Sequence, residues 1–98
     1  MQIEGAVTMG LGYSLSEEIH FNGGEIKDLS FGSYKIPRFS WAPRKIETVL
    51  IENHEIDPSG CGEPPIVGMG ALMANAVFDA TGIRVNRLPI TPERLKLG

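Results

Sequence analysis

Apolar side chains recur at three- and four-residue steps at the start of the chain, which predicts a helix from Met1 to about Leu15. The apolar face of this helix consists of Ile3, Ala6, Val7, Leu11 and Leu15. Gly5, Gly10 and Gly12 interrupt it, although each glycine costs about 1 kcal/mol relative to alanine in a helix interior. Because glycine lets a backbone or a ligand approach closely, we expect such a neighbour beside this helix. No N-cap residue precedes the helix, so we expect the chain to start within a larger fold.

A second segment, residues 66–80, is apolar almost all round, which predicts a helix buried on every side. Pro64 and Pro65 suit its first turn, and Gly82 suits its C-terminal end. Thr91 is placed to be the N-cap of a short last helix.

The segments between the helices predict strands. Residues 18–21 and 25–29 flank Asn22-Gly23-Gly24, a sequence that tolerates the positive φ values of a tight hairpin turn. Further strands are expected at 33–36, at 46–52 from its β-branched content, and at 83–88. Two main helices packed on a small mixed or antiparallel sheet give an α+β fold.

Length, charge and cysteine content exclude several classes of function. A chain of 98 residues is one domain or a piece of one. Nine Lys and Arg against twelve Asp and Glu give a charge of −3. Nucleic acids and anionic lipids bind proteins through clustered positive charge, so this charge disfavours both as partners. The single cysteine excludes an intrachain disulfide framework and a multi-cysteine zinc or iron–sulfur site. The apolar runs are too short to span a bilayer, and the start lacks the pattern of a signal peptide.

The loop over residues 58–65 carries the most informative chemistry. Glu63 follows Gly60 and Gly62 and stands at the positive end of the apolar helix, where a carboxylate is favoured in its charged form. Such a glutamate could serve as a general base, or it could simply cap the helix.

Each of the other reactive side chains could have a chemical role or a purely structural one. Cys61 could be a nucleophile activated by His54 or His20, or it could be a small buried hydrophobe. The histidines lack metal-ligand spacing. Three arginines could hold a phosphate or could be solvated: Arg84, Arg87 and Arg94.

Taken together, these motifs resemble a known family. The matching segments are residues 2–5, 10–13, 33–37, 60–65, 74–82 and 87–89, together with Arg84. In this order they are similar to the molybdopterin-binding large subunit of the xanthine dehydrogenase/aldehyde oxidase family of molybdenum hydroxylases. The isoquinoline 1-oxidoreductase β-subunit type is the most similar. The family often has a small aliphatic residue where this chain has Cys61.

The resemblance implies a molybdenum ion held by a pterin dithiolene, so that no protein side chain is a metal ligand. It implies an oxidoreductase that hydroxylates an N-heterocycle or an aldehyde with water-derived oxygen. Carried over by position, Glu63 is the base that takes the proton from the molybdenum-bound hydroxide. Gly60, Cys61 and Gly62 would line the metal, and Gln2 would contact the cofactor.

Family large subunits are several times longer than this chain. The resemblance therefore implies that residues 1–98 form the C-terminal segment of the second molybdenum-binding domain. The remaining large-subunit domains and an iron–sulfur subunit would be its partners, with no nucleic acid and no membrane. We expect the isolated chain to lack tightly bound molybdopterin and to be inactive. The expected compartment is the cytoplasm, with the periplasm as the alternative.

Two other hypotheses remain open. The chain could be a non-catalytic assembly module whose apolar helix faces dock onto another protein or onto copies of itself as a homo-oligomer. It could also be a small Cys–His thiol hydrolase built on Cys61.

Overall fold

The computed structural model describes residues 1–97. Its helices are α1 (Gln2–Leu15), α2 (Glu63–Val67), α3 (Met69–Thr81) and α4 (Pro92–Leu97), with a 3-10 helix at Phe39–Trp41. Strands β1 (Phe21–Asn22) and β2 (Glu25–Ile26) form a two-stranded antiparallel sheet. The predicted α+β class is confirmed.

Helix α1 lies directly against α3, as the glycines in its sequence indicate. A Cβ atom added to Gly10 would lie 2.5 Å from the Cβ atom of Met69, which is too close for two carbon atoms that are not bonded to each other. A Cβ atom added to Gly12 would lie 2.8 Å from the ring of Pro37. The predicted close approach to this helix is therefore confirmed at Gly10 and Gly12 but not at Gly5, where a Cβ atom would meet nothing within 4 Å.

The hairpin forms where the Asn-Gly-Gly sequence predicts it. Gly23 and Gly24 occupy its two turn positions with φ values of 59° and 83°, a combination that side chains beyond glycine, asparagine and aspartate rarely adopt. Phe21 pairs with Ile26, and Asn22 pairs with Glu25. The strands are shorter than predicted.

The other predicted strands are absent from the described residues. Ser33 and Tyr34 lie in a turn instead of a strand, because their amides both donate to the carbonyl of Ser30. Residues 46–52 and 83–88 have no neighbouring strand to pair with in residues 1–97. A strand needs such a neighbour to satisfy its backbone groups, so these predictions are wrong for the structure of this chain.

The apolar segment that the sequence predicts as one buried helix differs from this prediction in two ways. It is divided at Gly68 into α2 and α3, and it begins at Glu63. It is also exposed over most of its surface: Met69 is 5% exposed, but Val67 is 78% and Leu72 is 56% exposed. The prediction of burial on every side is wrong because the described residues cover only the face toward α1.

The predicted ends of the last two helices are confirmed. Gly82 stops α3 in the left-handed conformation with φ of 73°, and its amide donates to the carbonyl of Phe78. The hydroxyl of Thr91 accepts a hydrogen bond from the amide of Arg94 at 3.3 Å, which caps the start of α4.

The small core lies between α1, α3 and the segment that leads to α4. Its buried apolar members are Ala6, Met69, Val85 and Ile90. The two long helices pack on each other, whereas the prediction packs them on the sheet; within residues 1–97 no helix packs against either strand. In this part of the chain no helix is long and apolar enough to cross a membrane.

Candidate functional site

One open hollow brings together three of the five predicted site residues. It has a volume of about 400 Å³ and is lined by Met1, Gln2, Gly5, Ala6, Met9, Gly62, Glu63 and Ile66. Gln2, Gly62 and Glu63 are far apart in the sequence, so it is the packing of α2 against α1 that makes them neighbours.

Helix geometry explains how each wall of the hollow is built. Gln2, Ala6 and Met9 lie on α1 at spacings of four and three residues, which places them on one face. Glu63 and Ile66 are three residues apart on α2 and share the facing side. The result is an apolar floor with an amide and a carboxylate at its edge.

The two glycines in this wall leave room above the backbone. A Cβ atom added to Gly5 would meet no atom within 4 Å, and one added to Gly62 would lie 3.6 Å from Oε1 of Gln2. The backbone at Gly62 is thus close to the Gln2 amide without touching it, and the space between them is accessible.

The remaining two predicted residues lie outside this hollow. Cys61 lines an adjoining hollow of about 590 Å³, which also includes Gln2 and residues of the 46–50 segment. Gly60 belongs to neither hollow and is exposed. Cys61 is itself an exposed free thiol, so its expected role as a small buried hydrophobe is wrong for this chain.

Glu63 is the first residue of α2, and the N-cap position belongs to Gly62, which has no side chain to form a capping bond. Within residues 1–97 the Glu63 carboxylate forms no hydrogen bond and no ion pair, and the residue is exposed. A carboxylate without a partner remains available as a proton acceptor.

Tyr13 is a residue of this region that the sequence analysis missed. Its hydroxyl donates a hydrogen bond to the carbonyl of Ile66 at 2.5 Å and accepts one from the amide of Gly70 at 3.1 Å. Both partners are backbone groups more than fifty residues away. Tyr13 lies in the matching segment 10–13, but no periodicity or motif in the sequence assigns a role to its hydroxyl.

A separate charged cluster joins the segment before the hairpin to the last helix. Arg94 donates to Glu18 at 2.6 Å and to the carbonyl of Pro89 at 2.7 Å. The hydrogen bond from Arg94 lowers the pKa of Glu18 below its ordinary value, against a smaller opposing effect of burial. The backbone amide of His20 donates to Asp28 and lowers the pKa of that carboxyl.

The surroundings of the two histidines bear on the thiol hydrolase hypothesis. His20 pairs with Asp28, and His54 is exposed in a loop. In the described residues no hydrogen bond joins either histidine to Cys61, so the structure offers that hypothesis no activating base.

Arg84 stacks on Phe78, with its guanidinium 4.0 Å from the ring centre. Residues 1–97 contain no group of three or more His, Cys, Asp or Glu side chains that could hold a metal ion.

Comparisons with known proteins point to one family. Residues 1–43 match the model of the molybdopterin cofactor-binding domain family. The putative xanthine dehydrogenase molybdenum-binding subunit of Escherichia coli K12 is 36% identical over 100 residues, covering 96% of this chain and 13% of that protein.

Two further relatives show the same pattern. A nicotinate dehydrogenase subunit of Pseudomonas putida is 37% identical over 95 residues, covering 97% of this chain and 8% of that protein. The aldehyde oxidoreductase molybdenum-binding subunit of E. coli K12 is 34% identical over 101 residues, covering 96% of this chain and 14% of that protein.

The chain spans about an eighth of the length of most of these relatives, and less of the nicotinate dehydrogenase protein. The likeness to the isoquinoline 1-oxidoreductase type and the placement in the C-terminal segment stay predictions. The match along nearly the whole chain nevertheless supports the resemblance seen in the sequence. The chain belongs to the xanthine dehydrogenase/aldehyde oxidase family, as a segment of its molybdopterin-binding large subunit.

Proposed function

We propose that this chain forms one wall of the active site of a molybdenum hydroxylase, in which Gln2 contacts the molybdopterin cofactor and Glu63 is the catalytic base. The observation that carries the proposal is the hollow shared by Gln2, Gly62 and Glu63. The relatives at 34–37% identity support the reaction class.

The residues of this wall fit one edge of a pterin cofactor. The Gln2 amide can both donate and accept hydrogen bonds, as the mixed donors and acceptors of a pterin require. Gly5 leaves open space above the floor, and Gly62 gives its backbone access to the same region. Because the hollow is open on one side, the cofactor would need further walls from the rest of the large subunit.

When bound, the cofactor supplies the oxidising equivalents and the activated, water-derived oxygen for hydroxylating an N-heterocycle or an aldehyde. This chain contributes a proton acceptor at its edge, since the Glu63 carboxylate has no competing partner in residues 1–97. Ala6, Met9 and Ile66 form the apolar floor beneath it. Gly60 and Cys61, which precede Gly62 in the same loop, would also line the cofactor.

The base is tested in the complete enzyme by Glu63→Gln, which keeps the side-chain shape and removes the proton acceptor. We expect turnover to fall by about 10²- to 10⁴-fold, the usual contribution of a general base. Molybdenum content should stay unchanged. Glu93→Gln, at the exposed start of α4, is the matched control. Wild-type turnover in Glu63→Gln would refute the assignment.

We propose that the isolated chain neither holds molybdopterin tightly nor turns over substrate, because one wall cannot enclose so large a cofactor. Metal and pterin analysis of the purified 98-residue chain tests this. A stoichiometric amount of molybdenum and pterin would contradict it.

A non-catalytic assembly module is the second candidate, and the exposed apolar surface favours it. The chain exposes 7988 Å², whereas a compact protein of this mass exposes about 5,500 Å². Val49, Leu50 and Ile51 are 79–87% exposed. Surface of this kind favours association with other chains, including the remaining large-subunit domains and an iron–sulfur subunit. Complete enzyme assembled with the Glu63→Gln chain separates the two candidates, since a purely structural module predicts full turnover.

A further inference from the structure

The helix that leads away from Glu63 is interrupted at one point. Helix α2 ends at Val67 and α3 begins at Met69, with Gly68 between them at φ −84° and ψ −8°. In an uninterrupted helix the amide of Gly70 would donate to the carbonyl of Ile66, four residues earlier. The hydroxyl of Tyr13 lies between these two groups instead and bonds to both.

Interruptions of a helix have a short list of causes: a proline, a glycine or serine pair, a bulge, or a side chain or water inserted between the backbone groups. Pro64 and Pro65 lie in the first turn of α2, before the interruption, where a missing amide breaks no bond. The φ of Gly68 is within the ordinary right-handed region, and a Cβ atom there would meet nothing within 4 Å. Of the causes considered, the one present at the break is the Tyr13 hydroxyl inserted between Ile66 and Gly70.

We propose that Tyr13 is a positioning residue: its hydroxyl, inserted between Ile66 and Gly70, sets the break between α2 and α3 and thereby directs Glu63 toward Gln2. Gln2 and Tyr13 belong to α1, while Glu63 and Ile66 belong to α2. One hydroxyl therefore fixes the helix that bears the carboxylate relative to the helix that bears the amide. Since α2 has only five residues, it is too short to be stable without such an anchor.

This inference rests on the proposed function, because the direction of Glu63 matters to the reaction only if Glu63 acts at that hollow. The geometry can still be measured without any turnover. Cys61 is the only cysteine, is exposed, and precedes Glu63 by two residues, so a nitroxide attached to it reports on the position of this loop. The side-chain amide of Gln2 lines a hollow with Cys61 and is the nucleus to observe.

The test is Tyr13→Phe in the 98-residue chain, followed by NMR at a concentration at which light scattering gives the mass of a monomer. Without the hydroxyl, Gly70 can bond directly to Ile66, so we expect Gly68 to take helical chemical shifts and α2 to join α3. The paramagnetic broadening of the Gln2 amide should then decrease. A folded Tyr13→Phe chain that is less stable but keeps both the break and the broadening would overturn the proposal.

Tyr34→Phe is the matched control. It removes a tyrosine hydroxyl that also forms a hydrogen bond, to Glu17 at 2.8 Å, but none to α2 or α3. The break and the Gln2 broadening should both persist in this variant. Their loss in Tyr34→Phe would mean that any weakened hydrogen bond moves the loop, which would also overturn the role assigned to Tyr13.

A second variant tests the alternative cause and does not depend on the folding of Tyr13→Phe. Gly68→Ala raises helix propensity at the break and adds a methyl group in open space. With Tyr13 in place we expect α2 and α3 to stay separate. A continuous helix in Gly68→Ala would show that glycine, and not the hydroxyl, causes the break.

In the complete enzyme, Tyr13→Phe should lower kcat by up to about 10²-fold, as expected when a reacting group is displaced by about 1 Å. The KM and the molybdenum content should stay the same, which a general loss of structure would not allow. A wild-type kcat in Glu63→Gln would refute the proposed function but not the positioning role of Tyr13, because the nitroxide measurement of the loop needs no turnover. An unmoved loop in Tyr13→Phe refutes the positioning role alone.

Discussion

At the scale of single residues, the glycines of α1 differ sharply in what surrounds them. Gly10 is buried against Met69, whereas Gly5 faces open space. The same substitution should therefore have opposite effects at these two positions of one helix.

We predict that Gly10→Ala destabilises the chain by about 1–3 kcal/mol, because the new methyl group would overlap the Met69 side chain and force α1 and α3 apart. Gly5→Ala is the control and should stabilise it by about 0.5–1 kcal/mol through better helix propensity. Urea denaturation followed by circular dichroism measures both. Equal effects of the two variants would refute the close helix contact.

The pair formed by Glu18 and Arg94 makes a prediction about acid stability. Its hydrogen bond lowers the pKa of Glu18 in the folded chain. A carboxyl with a lowered folded pKa stabilises the protein above its unfolded pKa, and this contribution is lost as the pH falls through the folded value. The stability of the chain should therefore fall as the pH drops below the ordinary range of a glutamate.

Arg94→Gln should remove this part of the acid dependence and cost about 1 kcal/mol or less at neutral pH, since both side chains are partly exposed. Thermal melts from neutral to acidic pH measure the effect. Arg44→Gln, in the exposed loop that follows the 3-10 helix, is the control and should leave the pH profile unchanged. A parallel profile for wild type and Arg94→Gln would show that the pair does not control the acid response.

At the scale of elements, the hairpin depends on two backbone positions with positive φ. We predict that Gly24→Val disrupts the turn, at a cost of about 1–2 kcal/mol for a β-carbon in the left-handed region. Gly24→Asn should retain it, because asparagine tolerates this conformation. The nuclear Overhauser effect between Phe21 and Ile26 reports on the pairing. A persistent signal in the valine variant would contradict the prediction.

The elements that the sequence predicts well are those set by local chemistry. The start of α4 at Thr91, the stop of α3 at Gly82 and the Gly23-Gly24 turn each depend on residues next to one another. The strands at 46–52 and 83–88 depend on a neighbouring strand, and residues 1–97 provide none. Propensity alone could not reveal that absence.

The residues of the candidate site divide in the same way, into those marked by local sequence and those that depend on distant contacts. Glycine spacing and a carboxylate at a helix start mark Glu63 and Gly62 in the sequence, and the resemblance adds Gln2. The role of Tyr13 is invisible there, because its hydroxyl acts on backbone groups of another helix. Long-range contacts of a side chain with a backbone leave no periodic pattern.

At the scale of the whole molecule, the chain is expanded for its length. Its radius of gyration is 16.3 Å, compared with about 13 Å for a compact domain of 100 residues. Extended, exposed segments account for the difference, and residues 46–52 are the most apolar of them. An unpaired segment rich in β-branched residues is prone to pair with another chain.

We therefore predict that the isolated chain self-associates, and that replacing Val49 and Ile51 by lysine reduces this association because charge on an unpaired edge opposes strand pairing. These side chains lie outside the core, so the double variant should keep the helical circular dichroism of the wild type. Replacing Glu52 and Glu55, which are exposed in the same loop, by glutamine changes the net charge by the same amount and is the matched control. Size-exclusion chromatography with light scattering measures the mass. A wild-type chain that elutes as a monomer at all concentrations would refute the prediction, and equal dissociation in both double variants would assign the effect to net charge instead of to the apolar segment.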